Sequence, residues 1–446
     1  VLAQPDERHD NSAMTYEIEL KLRFAPEHAI ALQQALDVRA TRGGHSTLNN
    51  TYFDTEQGDL SRQACALRIR QNGESSFEQT LKTRGSNQGG LSVRHEWNWP
   101  LDHHQLDTTL LASDVVRAHW PDGVCADSLL PLFSTNFARQ RWVWQRGPSQ
   151  VEVVLDRGLI QGGGTEVPLC ELELELLQGD PADIWWMAET LGAEVPLWMS
   201  DISKAERGYR LLGMGRDWRQ RGNLFACDAD PALLPTQLNE SLEWIKRALE
   251  ALLWEPPRSA DLAIDFAAQL LAFFELARQE PALQQYLPAG TLVDSALALT
   301  YACLVQTGCD EQSSCFEQAE AEINQWREQP SLAGALLQLG HGLWQWQPSG
   351  VSSPEAVSSL SRYLLSRSVN APSRGADWSP SQLVALMLLA RDNGSLTSAN
   401  RAEIARLAHE LLGLQLYQVA LGSDSRAMAV QQHSRRLSGL VAQWMH

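Results

Sequence analysis

Hydrophobic and polar positions alternate along the first half of the chain and recur at helical spacing along the second. From about Thr15 to Tyr209, apolar residues fall at every second position in short runs separated by Gly, Asn, Asp and Pro, the signature of strands and turns. From about Leu233 onward the chain is rich in Ala, Leu and Gln. Apolar positions there follow the helical period, as at Leu238, Leu242, Ile245 and Leu249, and predict about seven to nine helices broken near prolines. The Gly, Asp and Pro residues between Gly213 and Pro235 read as a linker. The expected organisation is a tail over residues 1–13, a β-rich domain over 14–212, a linker over 213–234 and an all-α bundle over 235–446.

The strands carry charge on one face. In the run from Glu17 to Phe24, side chains alternate, so Glu17, Glu19, Lys21 and Arg23 share one face and Ile18, Leu20, Leu22 and Phe24 the other. The same design pairs Arg68 with Arg70, Glu78 with Thr80 and Lys82, Arg94 with Glu96, and Arg139 with Arg141. It also sets Asp156 beside Glu152 and Val154, and aligns Glu171, Glu173 and Glu175. A half-exposed strand explains any one of these. It does not explain Arg and Glu segregated by strand, nor three carboxylates in a row, which repel one another unless cations intervene. Helices expected at Glu27 to Arg39, Leu106 to His119 and Pro181 to Leu191 would cover the apolar faces. The fold this predicts is α+β: a closed antiparallel β-barrel with a charged interior and flanking helices, followed by the helical bundle.

Composition narrows the function. The 446-residue chain carries a net charge of −18, which repels long polyanions and argues against nucleic acid as partner. It holds no apolar run of membrane-spanning length. The seven cysteines include no Cys-x-x-Cys pair, so reduced thiols in the cytoplasm are expected rather than a zinc ribbon or a disulfide framework. A small anion remains a fitting ligand where basic side chains converge. Arg offers a planar fork matched to phosphate oxygens and Lys a compact charge. Carboxylates cannot contact phosphate directly; their natural task is to hold Mg²⁺ or Mn²⁺, which bridges to it. Acidic and basic strand faces lining one cavity therefore point to a triphosphate.

With these residues in view, Glu17-x-Glu19-x-Lys21 resembles the signature of the CYTH superfamily, the triphosphate tunnel metalloenzymes. The resemblance continues in order through Tyr52-Phe53-Asp54-Thr55, Leu67-Arg68-Ile69-Arg70, Thr80-Leu81-Lys82, Arg94-x-Glu96, Arg139-x-Arg141, Asp156-x-Gly158, the Glu171 to Glu175 run and Ser203 to Tyr209. It implies that Glu17, Glu19, Asp156 and two of Glu171, Glu173 and Glu175 hold the metal. Lys21, Arg68, Arg70, Lys82, Arg94, Arg139 and Arg141 would clasp the triphosphate, and Lys204 and Arg207 would close over it. Lys21, Glu78, Lys82 and Glu96 form the implied catalytic group, with Glu78 orienting a water and Glu96 supporting the metal or Arg94. Tyr52 and Asp54 read as structural.

In length and layout the chain resembles bacterial inorganic triphosphatases that join a CYTH domain to a helical CHAD domain. That implies hydrolysis of inorganic triphosphate to diphosphate and phosphate. Thiamine triphosphate hydrolysis, a class IV-type adenylate cyclase and a non-catalytic polyphosphate or nucleotide sensor are the rival readings. The helical half departs from its counterpart. Its helix beginning at Ala260 has neither His nor Arg through Leu271, which argues against polyphosphate binding there. Its tryptophans read as core anchors and its isolated histidines as satisfied or solvated.

Overall fold

The computed structural model describes residues 15–73, 76–214, 234–255, 258–277, 283, 285–286, 291–308, 311–346, 383, 403–404, 406–408, 410–412, 414 and 427–445. The chain divides into two compact units, Val1–Asp217 and Trp218–His446.

In the first unit ten strands form one sheet. They are β1 (Thr15–Arg23), β2 (Thr41–Asp54), β3 (Ala66–Asn72), β4 (Ser76–Lys82), β5 (Ser86–Gln88), β6 (Leu91–Leu101), β7 (Leu130–Arg146), β8 (Ser149–Gly162), β9 (Thr165–Gln178) and β10 (Trp198–Met199). The order β1-β9-β8-β7-β2-β3-β4-β6 closes on itself, because β1 pairs with β6 as well as with β9. Every pairing is antiparallel, and β5 and β10 are short additions to β6 and β1. The expected barrel is therefore the observed one, with eight strands in the ring.

Alternation decides what faces inward. Leu20 and Leu22 on β1, with Phe24 just beyond it, are buried outside the ring. Helices α1 (Ala29–Asp37) and α4 (Ala182–Gly192) bury Leu32, Leu36, Ile184, Trp185 and Leu191. A second outer core gathers Leu60, Leu67, Leu81, Trp97, Trp99, Leu111 and Val116 beneath the short helices α2 (Asp59–Arg62) and α3 (Asp114–Arg117). The continuous helix expected over Leu106 to His119 is instead a 3-10 turn, Thr108–Ala112, followed by α3. Two local stops explain this. Asp107 caps the first turn by accepting the Thr109 N–H at 2.9 Å, and Ser113 is extended, with ψ of 146°.

The interior also differs from expectation, since it is not charged along its whole length. Leu48, Phe137, Ile160 and Leu169 form an apolar layer across it. Beside that layer, helix α5 (Lys204–Leu211) packs Ala205 and Tyr209 against Tyr52 and Phe133. The helix fits because it presents Gly208 there: a Cβ at that position would lie 2.1 Å from the Phe133 ring. One part of the barrel interior is thus filled by apolar side chains and α5, and charged side chains line the rest.

The second unit is helical among its described residues. It comprises α6 (Leu234–Trp254), α7 (Ala260–Ala277), α8 (Thr291–Gly308), α9 (Ser314–Arg327), α10 (Pro330–Gln345) and α11 (Ala427–Met445). Pro330 begins a helix, where its missing N–H costs nothing. The breaks expected at Pro256–Pro257, Pro281, Pro288 and from Pro348 to Pro380 lie outside the described residues. Arg258 is buried and donates to Glu320 at 2.6 Å and Gln306 at 2.8 Å. Trp244 and Trp346 are buried, as expected of core anchors, whereas Trp254, Trp326 and Trp344 are half-buried. Cys65, Cys125, Cys170 and Cys303 are free thiols, whereas Cys315 is disulfide-bonded, which corrects the all-thiol expectation at that residue.

Candidate active site inside the barrel

The strand register by itself sets acid opposite base. Glu17 faces Arg94 across β1 and β6, Lys21 faces Glu173 across β1 and β9, and Arg139 faces Asp156 across β7 and β8. Lys82 faces Glu96 across β4 and β6. Each pair projects inward from adjacent strands, close enough to touch. Period-2 patterning supplied the residues and barrel closure assembled them.

Three groupings result. In the first, Lys82 Nζ donates to Glu17 at 2.8 and 2.9 Å and lies 2.6 Å from Glu96. Arg94 joins by pairing with Glu19 and, at 3.6 Å, with Glu17. Asn98 donates to Glu96 at 2.9 Å and accepts from Thr80 at 2.8 Å. Burial disfavours the Glu96 charge, but Lys82 and Arg68 outweigh it and hold the carboxyl down at about 2.

The second grouping is the acidic one. Asp156, Glu171 and Glu173 each offer a carboxylate oxygen, with all three atoms inside 4.8 Å of one another. Asp156 is fully buried and Glu171 is 1% exposed. Arg139 forks onto Asp156 at 2.7 and 2.6 Å and reaches Glu173 at 2.9 Å. Lys204 enters from α5 to contact Asp156 at 3.0 Å, Glu173 at 2.9 Å and also Glu171. Burial, with Glu173 adding to it against the pull of Lys204, pushes the Glu171 carboxyl up to about 7. Burial acts on Glu173 too, yet Lys204, Lys21 and Arg139 hold it well below the usual carboxylate range. Glu175 lies one strand step away; burial together with Glu17 and Glu19 pushes it up to about 7.

The third grouping is basic, and two of its guanidinium Nε atoms lack acceptors. Arg68 is buried beside Tyr52, with no hydrogen-bond acceptor at its Nε, and the buried Nε of Arg141 likewise has none. Arg70 donates from Nε to Asn50 at 3.0 Å, and its nearest carboxylate contact is Glu78 at 4.0 Å. Burial and the neighbouring charges of Arg68 and Arg139 press Arg70 down to about 9, so it stays protonated at neutral pH. Buried guanidinium N–H groups without acceptors are costly unless an anion arrives.

The structure brings most of the sequence-predicted residues together, with three distinctions. Glu17 and Glu19 are engaged by Lys82, Arg94 and Lys21 rather than joining the three-carboxylate group. Lys21 links the two sets, at 2.8 Å from Glu19 and 3.5 Å from Glu173. Glu78 has a side chain 40% exposed beside Arg70, apart from the acidic group. Arg207 is buried on α5 and donates to Ser200 at 3.2 Å. Sequence reading missed Asn50 and Asn98, which orient Arg70 and Glu96. Both sit at inward positions of their strands, and that parity was the available signal. Asp54 has the structural task expected of it, accepting N–H bonds from Thr55, Leu60 and Ser61 at 2.7 to 2.9 Å.

A closed eight-stranded antiparallel barrel with acidic and basic side chains facing each other defines a tunnel-type domain. Residues 15–209 match the CYTH domain family. The chain is 38% identical over 211 residues to the inorganic triphosphatase of Haemophilus influenzae, a match that takes in 46% of this chain and 58% of that protein. Among solved structures, an adenylyl cyclase-type protein from Hippeastrum, reported with a dominant triphosphatase activity, is 24% identical. It covers 44% of this chain and 95% of its own, with a TM-score of 0.34. An adenylate cyclase-type protein from Bacillus halodurans is 25% identical, covering 39% and 89%, with a TM-score of 0.26. No helix among the described residues is long and apolar enough to cross a membrane.

Proposed function

We propose that the barrel hydrolyses inorganic triphosphate to diphosphate and phosphate with Mg²⁺ or Mn²⁺. One observation carries this reading: the Nε atoms of Arg68 and Arg141, buried without acceptors, and the converging oxygens of Asp156, Glu171 and Glu173 lie inside the same barrel. A metal–triphosphate complex would offer phosphate acceptors to the arginines and a divalent cation to the carboxylates. The similarity to the Haemophilus influenzae inorganic triphosphatase supports the choice of substrate.

The donor set fits the ion. Asp156, Glu171 and Glu173 supply hard oxygen ligands, which suit Mg²⁺ or Mn²⁺. When bound, such an ion supplies charge neutralisation at the phosphoryl group and polarises it toward attack by water. The remaining work falls to the protein's own groups. Arg68, Arg70, Arg139 and Arg141 hold phosphate oxygens, and Lys21, Lys82 and Arg94 stabilise charge moving onto the departing diphosphate. Glu17, Glu19 and Glu96 keep those cations aimed inward, and Asn50 and Asn98 fix Arg70 and Glu96 in turn. Lys204 and Arg207 bring α5 against the bound anion. Linker residues 213–234 separate this domain from the helical one over 235–446, which we read as CHAD-like on its position and helical pattern.

The test is phosphate release from inorganic triphosphate, ATP and thiamine triphosphate, each with and without Mg²⁺ or Mn²⁺. Fastest metal-dependent turnover of the inorganic substrate supports the proposal. Saturable triphosphate binding without release would replace it with a sensor.

A further inference from the structure

The carboxylate group that suits a divalent cation already holds a cation belonging to the chain. Lys204 Nζ lies 3.0 Å from Asp156 and 2.9 Å from Glu173, and it also bonds Glu171. Those are the same three residues whose oxygens converge within 4.8 Å. An ammonium and a metal ion compete for the same oxygens, because like charges at that spacing repel strongly in a buried site. Arg139 forks onto Asp156 and reaches Glu173 at 2.9 Å, whereas Lys204 contacts all three carboxylates.

Resting on the metal-dependent reading above, we propose that Lys204 is a resident counter-ion that a divalent cation must displace, and that its displaced ammonium then turns to the bound anion. The placement on α5 suits this exchange. Ser203 caps the helix by accepting the Glu206 N–H at 3.1 Å, so Lys204 stands at its first turn. The other end is fixed, with Gly208 and Tyr209 packed against Phe133. Rotation of the lysine side chain therefore vacates the carboxylates while the helix stays docked. The exchange conserves charge balance: the carboxylates trade one positive charge for two, and the freed charge meets the triphosphate the metal brings. It also balances the carboxylates, which Lys204 shares with Arg139 and, at Glu173, with Lys21.

Two measurements on the full-length protein test this, both using MnCl₂ or MgCl₂ without triphosphate. The first is calorimetric metal titration of wild type and Lys204→Met, which removes the charge and keeps the length. A site blocked by Lys204 about nine-tenths of the time binds about tenfold more weakly than a vacant one, so the variant is expected to bind metal about tenfold or more tightly. The second uses wild type only, so it stands even if the variant does not fold: pulsed acetylation mapped by mass spectrometry. Lys204, 5% exposed, is expected to be protected without metal and labelled faster once metal is added. Metal binding with unchanged Lys204 labelling, or equal or weaker binding by the variant, overturns the exchange and leaves the metal-dependent reading intact. No metal binding by either protein overturns both.

Discussion

Gly208→Ala tests how tightly α5 is built into the barrel, and the sign of its effect is decisive. In an unconstrained helix interior this substitution stabilises by about 1 kcal/mol, because alanine loses less backbone entropy than glycine. Here the added Cβ would lie 2.1 Å from two carbons of the Phe133 ring, against a normal separation of about 3.5–4.0 Å. Ring or helix must therefore move by roughly 1.5 Å. The ring has nowhere to go: Tyr52 stacks on it at 4.7 Å between centroids with a 12° tilt, and Tyr209 meets its edge at 4.9 Å. Overpacking costs about 1–3 kcal/mol, and an overlap this deep falls in the upper part of that range, about 2–3. Set against the helix gain, the net loss is about 1–2 kcal/mol, which lowers Tm by roughly 2–8 °C in a domain of this size. The strain also displaces Lys204 and Arg207 on the same helix, and misplacement by about 1 Å can slow a reaction about 100-fold. Thermal unfolding and phosphate release from inorganic triphosphate measure the two effects. A Tm that is unchanged or higher would refute the packing argument, since it would mean that α5 does not press on Phe133.

Lys82→Ala leaves Glu17 and Glu96 facing each other with their bridging cation gone. The expected cost is roughly 3 kcal/mol, the low end for a broken buried pair because the Lys82 side chain is 21% exposed. Denaturant unfolding should report that loss together with a large fall in turnover, and unchanged turnover would remove Lys82 from the site. Arg141→Met deletes a half-buried cation whose Nε is buried without an acceptor. We expect stability without ligand to hold or rise, by up to about 1 kcal/mol, while triphosphate affinity drops. A clear destabilisation would show that Arg141 is structural. Glu96→Gln should give a pH-dependent deficit. The Glu96 carboxyl lies at about 2 in the folded chain against 4.5 for the free group, so its contribution is complete above about 4.5 and is lost as pH falls through about 2. The melting-temperature gap from wild type should be widest above pH 5 and close toward pH 2; a gap constant across that range contradicts the assignment.

Local chemistry in the sequence determined the strands, their inward and outward faces and the outer apolar cover. Alternation is a property of each strand alone, so Glu17, Lys82, Arg139 and Asp156 were legible as inward residues before any partner was known. The closed ring was also legible, because charged faces on so many strands need an enclosed space to share. What the run Glu171, Glu173 and Glu175 left open was which members converge. That depends on register between strands far apart in sequence: Asp156 falls opposite Glu171 and Lys21 opposite Glu173. The same holds for the apolar layer of Leu48, Phe137, Ile160 and Leu169, and for α5 setting the Lys204 ammonium among three carboxylates. No one-dimensional pattern encodes these, since each contact joins segments whose spacing is set only when the barrel closes. The chain thus specified by itself which groups face inward, while tertiary structure alone decided which of them touch, because distance between strands is fixed by closure and not by sequence order.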